Sequence, residues 1–409
     1  MFHSHRDSRT RNAAMATGPL TGIRVIDLTQ VLAGPTATML LADLGADVIK
    51  VEPPGMGDLS RLARYAKGGI NSTVANCNRG KRSIQIDLST DAGQALGLKL
   101  LAGCDVAVQN MRPGVMDSLG MGYEHAAAVN PDIVYCSMSG YGQTGPYAGR
   151  AAYDPIIQAV SGYVAIQVNP EVPIPDLVRN GVIDKASGWM AALAIVSALF
   201  ARAGGSGGQH IDLSMLDAAV QFLWPDGGMA DTLLDDEASE GRHLSTLYRL
   251  TPCADGHIVY FVVSDKQFHG LYRALGRTDW IDHEHWGTHE GRRGLSEELG
   301  GLLEEEFGKW KVADLVPRMH ENSVPCGEVA AVEDLHEDPQ IRHNETLVEW
   351  DHPTAGRIRQ SRLAPRFSAT QPGFRPSVPR LNEHASEILA ELGFDTAEVA
   401  RLREAGAVF

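Results

Sequence analysis

What most constrains the fold of this chain is an alternation near its start. Short apolar runs at Ile23–Leu28, Asp47–Val51, Ser83–Asp87, Asp105–Gln109 and Asp132–Ser137 are separated by helix-length stretches. Strands joined by a helical crossover run parallel, and the repeat predicts an α/β fold with a doubly wound parallel sheet. Such sheets bind ligands outside the carboxyl ends of their strands. The first crossover reads clearly: Pro35 suits the first turn of a helix over Thr36–Leu44, and Gly45 closes it.

Further on, Asp184–Arg202 reads as one long helix. Its apolar stretch, Trp189–Phe200, is too short for a membrane span and reads as buried. A GGSGG turn at Gly204–Gly208 leads to a strand at His210–Ser214 and a helix at Leu216–Leu223. After Pro225 the texture changes. Asp226–Arg242 is acidic and weakly patterned, a linker or mobile loop. His257–Val263 is a strand, and the region to about Asp334 is helical, charged and rich in Trp and His. A turn (HPTAGRIR), a proline-rich link and a helix at Glu383–Leu392 complete the chain. The expected division is a disordered extension over 1–18 with a second possible start at Met15, a large domain over 19–224, a linker and small domain over 225–345, and a segment over 346–409 that returns to the large domain.

The 409 residues carry a formal charge of −15, which argues against a general nucleic-acid binder. A phosphate-bearing ligand would therefore need a local basic cluster. Arg61, Lys81, Arg82 and Arg112 lie near predicted strand ends or in the loops joining them and are candidates, with solvated charge as the alternative. Asn110-Met111-Arg112 directly follows the strand DVAVQ, where a doubly wound sheet opens its crevice. The five cysteines, Cys77, Cys104, Cys136, Cys253 and Cys326, have no paired spacing. They suggest neither disulfides nor a zinc site and suit a reducing cytoplasm. The N-terminus lacks the apolar stretch of a secretory signal. The histidine groups His3/His5 and His283/His285/His289 read as tail and surface, so no metal is expected.

Two places could carry chemistry. Asp184 stands at the head of the long helix, facing unpaired N–H groups and the positive end of the dipole. That position predicts a low pKa and an ionised group, able to act as a covalent nucleophile on an activated acyl group or simply to cap the helix. Tyr153-Asp154 offers a hydroxyl and a second charge, or a packed aromatic and a cap for a helix opening at Pro155. Familiar phosphate and hydrolase motifs are missing. The one G-x-G-x-x-G match, Gly140–Gly145, is followed by Pro146 and more loop, where a dinucleotide site needs a helix. The one G-x-S-x-G match runs from helix to strand, the reverse of a nucleophile elbow.

Taken together, the segments GIRVIDLTQVLAGPTATMLLADLGADVIKVEPPGMGD, NRGKRSIQIDLST, VQNMRPGVMDSLGMGYE, NPDIVYCSMSGYGQTGPYAGRAAYDPIIQAVSG, GGQHIDLSMLDAA and EDPQIRHNETLVEWDHPTAGRIR resemble the class III CoA-transferases. The resemblance implies a Rossmann-like large domain built from both ends of the chain, a smaller α+β domain from its middle, and an interlocked homodimer. It implies an acyl-CoA and a carboxylic acid as substrates, with coenzyme A carried as a thioester and no permanently bound cofactor. Asp184 matches the family's nucleophile, with Tyr153 and Asp154 in the same site. CoA contacts carry over to Leu32-Ala33, to Asn78, Arg79 and Lys81, to Asn110-Met111-Arg112 and to Arg150-Ala151 with Tyr153. Formyl-CoA transferases have Gln where this chain has Leu32 and Arg where it has Pro53, which speaks against formyl-CoA:oxalate exchange. The racemase branch has His where Tyr153 stands. A Tyr with an ordinary pKa near 10 is a poor base at neutral pH, which disfavours α-proton transfer. A CoA-transferase is therefore the leading reading, with a 2-methylacyl-CoA racemase as the alternative and a non-catalytic CoA-binding protein as a third.

Overall fold

The structure is a computed structural model and describes residues 17–63, 65–167, 176–234 and 248–409. The expected disordered extension lies almost wholly outside these residues, as does much of the acidic stretch after Pro225. Among the described residues the chain forms two compact units. One runs to Pro225 and resumes at Arg342; the other is Asp226–Ile341.

The larger unit is organised by six parallel strands: β1 (Arg24–Leu28), β2 (Asp47–Glu52), β3 (Lys81–Gln85), β4 (Val106–Gln109), β5 (Val134–Ser139) and β6 (Gln209–Ser214). Their order is β3-β2-β1-β4-β5-β6. The chain winds outward from β1 in one direction and then from β4 in the other. The sheet therefore opens a crevice between the carboxyl ends of β1 and β4. Side chains alternate across it. Val25, Val48, Val106 and Val134 face the helices Ala33–Asp43 and Val182–Ala203. Ile26, Ile49, Ile84 and Tyr135 face the layer that includes Asp91–Ala102 and the C-terminal helix Ala385–Glu391.

Two expectations change here. β3 begins at Lys81 rather than Ser83, so Lys81 and Arg82 are strand residues, not loop residues. The Val182–Ala203 helix has the length and composition of a bilayer span, as core helices of this size also do, and one of its faces is buried while the other is exposed. The buried face meets Ala33–Asp43 so closely that a Cβ on Gly188 would come within 2.8 Å of the Ala33 carbonyl oxygen. The opposite face presents Trp189, Leu193 and Phe200, the last 82% exposed. The chain's return adds an antiparallel hairpin, Leu347–His352 with Gly356–Ser361, and the helices Ala385–Glu391 and Thr396–Glu404.

The smaller unit holds a three-stranded antiparallel sheet with His257–Tyr260 between Thr251–Pro252 and Cys326–Glu328. Ile258, Tyr272, Trp280, Trp286, Phe307 and Met319 form its core. Only the central strand was legible beforehand; the outer two are two and three residues long.

Candidate active site

The carboxyl ends of β1 and β4 are tied to one another. Asn110 accepts the Gln30 N–H at 2.8 Å through Oδ1 and donates through Nδ2 to the Gln30 carbonyl at 2.8 Å. This joins the predicted Asn110-Met111-Arg112 turn to the turn preceding Leu32-Ala33. Leu32 ends that turn, and the Ala33–Asp43 helix starts behind it. The Leu32 side chain lies against Gly181, where an added Cβ would meet Leu32 Cδ2 at 2.7 Å and Asp184 Oδ2 at 3.4 Å. Leu32 and Asp184 therefore border the same spot.

Asp184 is the third residue of the Val182–Ala203 helix, not its cap. The cap comes from Asp154, whose Oδ2 accepts the Ile183 N–H at 2.7 Å and the Asp184 N–H at 2.9 Å. Asp154 is buried, and its Oδ1 accepts a 2.6 Å bond from Gln158. Gln158 in turn contacts the Val178 and Asn180 backbone, fixing the approach to the helix. Asp154 thus caps the helix of Asp184 rather than its own, which opens without a side-chain cap.

This arrangement corrects the expected low pKa of Asp184. The helix donors are already taken, and burial together with the negative charge of Asp154 raises the Asp184 carboxyl to about 7. No described donor binds its oxygens. An under-solvated carboxylate without hydrogen bonds is a better nucleophile than a capping one, because less solvation must be stripped before attack.

The basic residues divide sharply. Arg61 makes a bidentate pair with Glu52, both contacts at 2.7 Å. Arg79 is buried against Asp43, and Lys81 is fully buried at 2.9 Å from Asp27. Arg82 joins Asp47, Glu387 and Glu391. The side chains of these four are committed to carboxylates, so the expected basic cluster does not form from them. Asn78 is buried too and accepts a bond from Lys81. Arg112 and Arg150 remain exposed; Arg150 lies over the Tyr147 ring at 3.6 Å. Ala151 is exposed beside it, and Tyr153 is 61% exposed. Gly140–Gly145 stays a loop, and the next helix opens only at Asp154.

Sequence reasoning missed three residues of this region. Asp27 lies beneath the β1 turn, where Lys50 and Lys81 hold its carboxyl far below the ordinary range despite burial. Lys50 and Asp58 form a second buried pair at 2.8 Å. Charged residues inside otherwise apolar strands, as in RVIDL and DVIKV, were the available signal.

Comparisons with known proteins find relatives along nearly the whole chain. The family model described as CoA-transferase family III matches residues 20–385. The human succinyl-CoA:glutarate CoA-transferase is 36% identical over 399 residues, covering 95% of this chain and 90% of that protein. The succinate–glutarate CoA-transferase of Agrobacterium fabrum is 35% identical, covering 91% of this chain and 96% of that one. The crystal structure of a CAIB/BAIF family protein from Brucella suis superposes with a TM-score of 0.80 at 34% identity, over 92% of this chain and all of that one.

Proposed function

The chain belongs to CoA-transferase family III, and from that premise we propose that it moves CoA from an acyl-CoA to a carboxylic acid through covalent intermediates on Asp184. The observation that carries the reading is a carboxyl group raised to about 7, without hydrogen-bond donors among the described residues, at the crevice of a doubly wound sheet. An Asp184 carboxylate oxygen attacks the thioester carbonyl, and the C–S bond breaks. This gives a mixed anhydride and CoA thiolate. The thiolate then attacks the Asp184 carbonyl, releasing the first acid and leaving an aspartyl-CoA thioester. The acceptor carboxylate repeats the two steps in reverse order, which frees Asp184 and yields the new acyl-CoA. Each tetrahedral intermediate places charge on an oxygen that needs donors.

Both relatives named above act on succinate or glutarate. We propose that this protein also takes dicarboxylic acids with a methylene chain. Leu32 beside Asp184 supports an apolar wall for such a chain and disfavours a small polar acid such as oxalate. Arg112 and Arg150 are the candidates for the CoA phosphates. Nothing favours the racemase reading, since position 153 holds Tyr.

We also propose a homodimer. The exposed stripe Trp189, Leu193 and Phe200, with Phe222 and Trp224 nearby in sequence, supports burial against a second copy. The five free cysteines suit a reducing cytoplasm.

The test is mass spectrometry after incubation with succinyl-CoA and hydroxylamine. A transferase is trapped with a mass change at Asp184, and glutarate turns it over to glutaryl-CoA. An enzyme that exchanges the α-proton with deuterium and gives no adduct would overturn the reading.

A further inference from the structure

The turn that delivers Leu32 to Asp184 contains no glycine, yet Val31 has φ 71°. A β-branched residue in left-handed backbone is a true outlier, and it persists only where surrounding contacts over-determine it. Here every residue before Leu32 is anchored. Asp27 accepts both the N–H and the hydroxyl of Thr29, at 2.9 and 2.5 Å. The Lys50 ammonium donates to the Thr29 carbonyl at 2.8 Å. Asn110 holds both backbone groups of Gln30. The Val31 N–H donates to Asp58 Oδ1 at 2.9 Å, and Ser60 N–H donates to the same oxygen at 2.8 Å. The other Asp58 oxygen pairs with Lys50 at 2.8 Å. Lys50 and Asp58 are both buried, far from any need for surface charge.

Buried ion pairs are poor devices for stability alone, because desolvation consumes most of their attraction. Their geometry here serves something else. We propose that Asp58, backed by Lys50, is a positioning residue for the transfer reaction: it holds Val31 in left-handed backbone so that Leu32 closes against Gly181 and walls one side of Asp184. This rests on the reading of Asp184 as the acyl-accepting group. Without the Asp58 anchor, Val31 relaxes toward extended backbone. Leu32 then swings off Gly181 and opens the reacting carboxylate to water.

The experiment compares Asp58→Ala, Asp58→Asn and the double variant Asp58→Ala/Val31→Asn with the unaltered enzyme, using succinyl-CoA and glutarate as probes. Circular dichroism and melting temperature establish folding. Asp58→Ala is expected to lower kcat roughly 10- to 100-fold, the cost of a small misplacement at the reacting centre. KM for succinyl-CoA should change less than kcat, because Arg112 and Arg150, the candidates for the CoA phosphates, are untouched. Asn adopts left-handed backbone far more readily than Val, so Val31→Asn should recover most of the lost kcat without recovering the melting temperature. Asp58→Asn keeps an oxygen for the Val31 N–H and should keep most of the kcat; should Asp58→Ala not fold, Asp58→Ser carries the same comparison with and without Val31→Asn. An unchanged kcat in folded Asp58→Ala or Asp58→Ser, or a loss that Val31→Asn does not recover, overturns the proposal. An unaltered enzyme that forms no adduct at Asp184 instead defeats the transferase reading, so the two failures are distinguishable.

Discussion

Asp154 accepts the backbone N–H of Asp184 at 2.9 Å while its charge raises the Asp184 carboxyl. One carboxylate thus takes the helix terminus and leaves the other without donors among the described residues. Asp154→Asn keeps an oxygen for the backbone N–H groups but removes the charge. The acid limb of the pH–rate profile should move below its unaltered position, though not to that of a free carboxylate, because burial is the larger cause of the shift. Asp154→Ala removes the cap as well and should cost about 1–2 kcal/mol of stability by denaturant titration.

The raised Asp184 pKa has two consequences of known sign. Under the proposed mechanism the reactive form is the carboxylate, so kcat/KM for acyl-CoA should fall as pH drops through about 7. For folding the direction is opposite. Between the ordinary value of 3.8 and about 7 the folded state holds a proton that the unfolded state has released. Its stabilising effect is full below 3.8 and is lost as pH rises toward 7. At about 1.4 kcal/mol per pKa unit the loss is at most about 4 kcal/mol. Asp184→Asn should therefore melt higher than the unaltered protein at pH 8 and at nearly the same temperature at pH 4. Equal gains at both pH values would contradict the assigned environment.

The parallel sheet was legible because its strands are buried on both faces and read as apolar runs at regular spacing. Asp184 at a helix start was legible for the same reason. Its electrostatics were not, because the group that takes its helix donors is 30 residues away. The fates of Lys81 and Arg82 were hidden by a two-residue error at the start of β3, which turns apparent loop cations into strand residues facing carboxylates. The left-handed Val31 gives no local signal, since tertiary anchors impose it. The last helix, Thr396–Glu404, went unread, although its Asp395/Glu398 capping box was a local signal; the helix read at Glu383–Leu392 is found at Ala385–Glu391.

Gly188 allows two helices to touch. A methyl there would stand 2.8 Å from the Ala33 carbonyl oxygen and 3.0 Å from the Thr36 side chain. Backbone on the far side cannot rotate away, so the helices must part. Gly188→Ala should destabilise the protein by about 1–3 kcal/mol. It should also lower activity, because Leu32 at the start of one helix and Asp184 in the first turn of the other separate together. Thermal melting and a kcat measurement on the same sample check both effects.

Lys81 and Arg112 make the sharpest contrast between a cation that holds the fold and one available to a ligand. Lys81 donates to Asp27, Asn78, Thr38 and the Pro35 carbonyl from full burial, and burial lowers its pKa to about 8. Lys81→Met strands the buried Asp27 carboxylate with Lys50 at 4.0 Å as its remaining ion pair. Removing one member of such a pair should cost about 3–5 kcal/mol, with little change in KM for whatever enzyme remains folded. Arg112 is exposed beside the crevice, and its side chain makes no hydrogen bond or ion pair among the described residues. Arg112→Ala should leave the melting temperature within a degree or so, as for ordinary surface substitutions. If Arg112 meets a CoA phosphate, KM for acyl-CoA should rise roughly tenfold, the worth of one charge-assisted hydrogen bond. The unaltered enzyme should lose affinity with added salt more steeply than the variant. A stable Lys81→Met protein with a raised KM, beside an Arg112→Ala protein with none, would reverse the assignment.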